Sequence, residues 1–149
     1  MQSRTCLIAA TLLLATAVGC GDGNGPRPLA AAFYLTSVNG AAPPALAGST
    51  LNCDQYLDGA DLLLSLDESF YISAWTTLDC TAAGGGVTHP ALTVDGTYRR
   101  SGSSITLEVT GAVPVPASYD GTTLTGTLPA SPVTFPIALD LVFTVRPSL

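Results

Sequence analysis

The sequence predicts an all-β domain, most simply an antiparallel up-and-down β-barrel of about eight strands. Two observations carry this. Thr, Val and aromatic residues alternate with polar ones in short runs, and Gly, Pro, Asn and Asp punctuate those runs at close intervals. Beyond residue 20 no stretch repeats with the helical period, so no helix is expected there. A two-sheet sandwich satisfies the same periodicity and stays open as the alternative. Closure into a barrel would remove the exposed edges of a Thr-rich sheet and leave room for side chains or one small ligand.

Taken in order, Phe33 and Leu35 share a face of the first strand, which ends at the turn signal Asn39-Gly40. A Pro-rich loop over 41–48 leads to a second strand near 50–55, and Leu62, Leu64 and Leu66 line one face of a third. Asp67-Glu68 turn the chain into a fourth strand, where Phe70, Ile72 and Ala74 face opposite to Tyr71, Ser73 and Trp75. Gly84-Gly85-Gly86 reads as a loop. Residues 94–100 and 103–110 form a hairpin around Ser101-Gly102, with Ile105, Leu107 and Val109 as its inward row. After the turn Asp120-Gly121 comes a strand at 122–128. Ile137, Leu139, Leu141, Phe143 and Val145 make the last inward row.

Three phrases resemble those of bacterial lipocalin-like lipoproteins: Phe33-Tyr34-Leu35-Thr36-Ser37-Val38-Asn39-Gly40, Asp95-Gly96-Thr97-Tyr98-Arg99-Arg100-Ser101-Gly102, and Asp120-Gly121-Thr122-Thr123-Leu124-Thr125-Gly126. The similarity runs over most of residues 32–146. It implies an up-and-down barrel, and a barrel of that kind often holds an apolar ligand. No ligand-specifying residue of that group can be carried to a position in this chain.

The first 19 residues have the parts of a secretory signal: a positive charge at Arg4, an apolar run over 7–18, and small residues ahead of a cysteine. Ala17-Val18-Gly19-Cys20 resembles the lipobox of bacterial lipoproteins, with Ala17 where leucine is commonest. That resemblance implies cleavage before Cys20, acylation of its thiol, and attachment to the membrane through the lipid anchor. Two or more acyl chains anchor stably where one is marginal. Residues 20–31 then form a lipid-anchored linker, Gly- and Pro-rich over 21–28, and residues 32–149 form the single domain. The location implied is the exported face of the cell envelope. Gly21, rather than an Asp, beside the cysteine leans towards the outer membrane of a diderm host.

The mean hydropathy of +0.42 is inflated by the signal, and no other run approaches the roughly 20 apolar residues of a spanning helix. The formal charge is −6 at pH 7, and loss of Arg4 makes it one unit more negative. There is no Lys, and Arg99-Arg100 is the only basic pair, so nucleic acid is not a partner. With Cys6 in the signal and Cys20 acylated, Cys53 and Cys80 are expected to pair as a disulfide. His89 is the only histidine and no Cys-x-x-Cys occurs, so neither a zinc set nor another cofactor site is expected.

Chemistry-bearing residues are few. There is no Gly-x-Ser-x-Gly elbow, and His89 precedes Pro90 in an apparent loop, where solvation is its ordinary state. Asp54, Asp58 and Asp61 could offer oxygens to calcium but lack EF-hand spacing; turn carboxylates are the ordinary reading. Arg99 and Arg100 could grip an anion, one on each face of a strand. Tyr34, Tyr71, Trp75 and Tyr98 are the candidate ligand or partner contacts: inward they would line a cup, outward a contact patch, and ordinary packing accounts for either. The function expected is a monomeric, lipid-anchored module binding a small apolar ligand or an envelope partner. The alternatives are a purely structural or inhibitory surface domain with a filled core, and an envelope hydrolase using His89.

Overall fold

The computed structural model describes residues 27–50, 52–131 and 135–147. The signal segment, Cys20 and most of the linker lie outside the described residues.

Eight strands close an antiparallel barrel in meander order: β1 (Ala31–Val38), β3 (Asp54–Leu64), β4 (Ser69–Asp79), β6 (Ala91–Ser101), β7 (Ser104–Glu108), β8 (Val115–Tyr119), β9 (Thr123–Leu128) and β10 (Leu139–Val145). The β1–β10 pairing closes the ring, from Phe33 opposite Val145 to Val38 opposite Leu141. Two short strands lie alongside: β2 (Ala45–Ser49) on the start of β3, and β5 (Val87–Thr88) on the end of β4. The all-β, eight-stranded, up-and-down barrel expected from the periodicity is the architecture found.

Turn chemistry explains the register. Asn39 and Gly40 both take positive φ, 51° and 83°, as the tight connections between twisted strands require. The Asn39 side chain then accepts a hydrogen bond from the Asp140 N–H at 2.8 Å, tying the turn to the start of β10. Asp120 closes the β8–β9 turn by accepting from the N–H groups of Thr122 and Thr123 and from the Thr122 hydroxyl. These bonds, the backbone ones first, hold its carboxyl below the usual 3.8. In the β3–β4 turn Asp67 accepts from the Ser69 hydroxyl and N–H, and its carboxyl is held low by the hydroxyl bond first.

Cys53 and Cys80 form a disulfide across 27 residues. It clamps the far end of the long β3–β4 hairpin, immediately outside the last rung, where Asp54 stands opposite Asp79. Opposed like charges destabilise a rung. Asp79 instead turns its carboxylate to the Thr81 hydroxyl and N–H, with the hydroxyl bond the largest cause of its lowered pKa.

Several expectations need correcting. The second strand is not at 50–55: it lies within the Pro-rich stretch, as β2, where Ala45 and Ala47 bury their methyls. Thr50 and Cys53 exchange a short-range hydrogen bond at the turn that follows. Leu66 is 68% exposed, because β3 ends at Leu64 and the turn has begun. Ile137 likewise lies exposed ahead of β10. Strands β5 and β8 were not anticipated, nor was the 3-10 turn at Thr81–Ala83, which is closed by Gly84 in the left-handed region.

Two ends of the barrel differ. At one, the β3–β4, β6–β7 and β8–β9 turns gather around the chain entering β1 and leaving β10. At the other lie the disulfide, the loop from β7 to β8, and the connection from β9 to β10 that carries Phe135.

Candidate ligand cavity

The first end is sealed by side chains that the alternation of β1, β6 and β8 sends inward. Tyr98 is 1% exposed, the largest of the fully buried side chains. Its hydroxyl accepts from the Leu29 N–H at 2.7 Å and holds the carbonyls of Leu29 (2.7 Å) and Ser65 (3.0 Å) within reach of its single proton. Phe33 meets Tyr119 edge to face at 5.7 Å. The Arg100 guanidinium lies 5.8 Å over the Tyr119 ring and donates to the Gly102 carbonyl. One step inward, Gly96 is required: a Cβ there would stand 2.2 Å from the Glu108 carbonyl and 2.9 Å from the Phe70 ring. The Gly-Thr-Tyr phrase is thus a packing device for the closed end.

From mid-barrel to the other end the lumen is not filled. A cavity of about 190 Å³ is lined by inward residues of β3, β4, β6, β7, β8, β9 and β10, with Phe135 among them. Its cause is legible in side-chain size. Ala60 is paired with Ala74 on β3 and β4, and Ala117 with Gly126 on β8 and β9. Those two pairs stand on opposite walls of an eight-stranded ring, where bulky residues would otherwise meet. Leu57, Leu62, Phe70, Leu92, Leu107 and Phe143 are among the other lining residues. Among the lining residues only Thr93 has a polar side chain, and it lies exposed at its strand position. The lumen therefore offers a ligand apolar contact and shape, with no side-chain hydrogen bond. A shallow depression on the outer wall overlies the same thin region around Ala117 and Gly126.

The expected contact residues do not converge. Tyr98 belongs to the seal and is unavailable to a ligand in the cavity. Tyr34, Tyr71 and Trp75 point outward and are well exposed, Trp75 at 46%. Leu63 pairs with Tyr71, but the outward rung of Tyr34, Asp61 and Ser73 separates that pair from Trp75, so these residues form no continuous apolar patch. The residues that build the cavity were not singled out from sequence. Inward positions occupied by Ala and Gly between Leu and Phe are the signal that could have found them.

His89 is exposed, and its Nδ1 lies 2.9 Å from the Thr77 hydroxyl. That hydroxyl donates to Asp58 at 2.7 Å, so Nδ1–H is the donor to Thr77. The order is His–Thr–Asp, whereas a serine-hydrolase relay sets the imidazole between hydroxyl and carboxylate. Asp54, Asp58 and Asp61 are not brought together. Asp61 pairs with Arg146, Asp58 with Thr77, and Asp54 faces Asp79. Among the described residues no group of three or more His, Cys, Asp or Glu side chains could hold a metal ion. Arg99 and Arg100 do point to opposite faces. Arg99 is exposed beside Glu108 at 3.2 Å, a pair of small energetic weight.

No protein-family model matches this chain, and no match is found among curated proteins or among solved structures.

Proposed function

We propose that this chain is a lipid-anchored envelope protein whose barrel binds one small apolar molecule in its lumen. The observation that carries the reading is the unfilled apolar cavity between the Ala60–Ala74 and Ala117–Gly126 walls. A purely structural domain would fill that space, since a void forfeits contacts on every side. Engineered apolar cavities of about 150 Å³ bind benzene. A space of about 190 Å³ therefore suits a ligand of roughly eight heavy atoms, by the same proportion. At usual efficiencies per atom such a ligand binds in the millimolar to micromolar range, on the order of −4 to −8 kcal/mol. The His89–Thr77–Asp58 order lends no support to a hydrolase.

Titration with 1-octanol, followed by calorimetry, tests the lumen. Binding with a negative heat-capacity change is expected. Ala117→Leu, which adds three carbons inside the cavity, is expected to weaken binding at least tenfold while leaving the β signature in circular dichroism unchanged. Equal affinity in a folded Ala117→Leu protein would rule the lumen out. For the anchor, expression in a bacterial host should place the protein in the membrane fraction, and Cys20→Ser should abolish acylation and release. A Cys20→Ser protein that is still cleaved and acylated would contradict the lipobox reading.

A further inference from the structure

We infer that the lumen selects neutral or cationic apolar molecules, such as small hydrophobic amines, and disfavours fatty carboxylates. This rests on the proposed lumen site. The described residues contain four cationic side chains, all arginine, and all four belong to the sealed end. Arg27 precedes Leu29, which Tyr98 pins. Arg99 and Arg100 lead into the β6–β7 turn, and Arg146 follows β10, its N–H bonded to the Ala32 carbonyl. The opposite end carries Asp54, Asp58, Asp79 and Asp140.

Two of these carboxylates stand on the outer face of the wall, one residue along the strand from a lining residue, Asp140 on the outer depression and Asp58 bonded to the Thr77 hydroxyl. Asp58 follows Leu57, and Asp140 precedes Leu141; one strand residue is about 3.3 Å. His89 is the only other titratable nitrogen at this end, and its Nδ1 is already engaged through Thr77 with Asp58. An amphiphile that buries its tail in the lumen leaves its head group at this rim, because the lumen has no partner for it. A carboxylate there meets like charges and no arginine. An ammonium is attracted through solvent by the four carboxylates on the outer face of this end. Coulomb's law in water-like dielectric at about 20 mM salt, with roughly 10 Å from the head group to the two nearer carboxylates and roughly 20 Å to the others, makes this roughly a threefold effect per unit of ligand charge.

The test compares octylammonium, 1-octanol and octanoate at pH 7 on the intact domain by calorimetry. At about 20 mM salt the expected order is amine, then alcohol, then carboxylate, with about tenfold between the extremes. At about 0.5 M salt that span should collapse to within twofold, since the rim is solvated. Asp58→Asn with Asp140→Asn should narrow the low-salt span without weakening 1-octanol. Octanoate binding as tightly as octylammonium at low salt, or a span that ignores salt, overturns the charge selection alone. Binding of none of the three at millimolar concentration overturns the lumen reading, and the selection falls with it.

Discussion

Replacing both Cys53 and Cys80 by Ala, or reducing their disulfide, is expected to lower the free energy of unfolding by roughly 3.5 kcal/mol. The figure follows from the 27 residues between the cysteines, whose unfolded-chain entropy the link removes in the loop-closure account. Domains of this size have only about 5–15 kcal/mol in total, so a large share of the stability hangs on one bond. The native state also loses its clamp outside the Asp54–Asp79 rung. Fraying should therefore begin there, visible as faster amide exchange over the ends of β3 and β4 before the rest of the barrel. Urea unfolding with and without reductant measures the global term. A change below about 1 kcal/mol would mean that the hairpin ends stay associated in the unfolded chain, against the loop-closure account.

Substitutions at Tyr98 should have an effect of comparable size. Tyr98→Ala removes the ring that fills the sealed end and is expected to cost about 3–5 kcal/mol, the usual range for a large buried aromatic. Tyr98→Phe keeps the ring and removes the hydroxyl from three backbone groups. The expected cost is about 1–3 kcal/mol, with loss of exchange protection at the Leu29 amide. The hydroxyl also gives a pH signature. Burial, the largest cause, pushes its pKa above the ordinary 10.0. The folded state thus favours the neutral phenol. Its contribution is complete below pH 10 and is lost as pH rises through the raised value. Thermal melts between pH 9 and 11.5 should show the wild type losing stability faster than Tyr98→Phe. Parallel decline of the two would remove Tyr98 as the source.

Much of this was legible in the sequence because it lay in period and turn chemistry. Phe70, Ile72 and Ala74 face inward as their alternation requires. Asn39-Gly40, Asp67-Glu68 and Asp120-Gly121 turn the chain where such residues should. The cysteines pair by simple arithmetic. What escaped was set by tertiary context. Strand β8, Val115-Pro116-Ala117-Ser118-Tyr119, carries a proline and few large apolar residues, so it exists through pairing with β7 and β9 rather than through propensity. Strand β2 is likewise drawn out of its Pro-rich context by the edge of β3. The inward alternation of Tyr98 follows from Leu92, Val94 and Gly96, but its role depends on Leu29 and Ser65, 69 and 33 residues away. The cavity is a statement about which small residues meet across the ring, and a linear pattern does not contain that.

The bond between Tyr98 and Leu29 also orients the molecule. It fixes the start of the domain to the sealed pole, nine residues from Cys20. Nine residues span at most about 30 Å. An 11-residue strand inclined at about 40° raises the opposite pole by roughly 28 Å. With Cys20 acylated, as proposed, the sealed pole rests towards the lipid and the opening looks into the aqueous space. A guest would then arrive from solution or from a soluble donor, and not by lateral diffusion within the leaflet. The anchor would act as a mooring that holds an upright cup, with its opening turned from the surface to which it is tied.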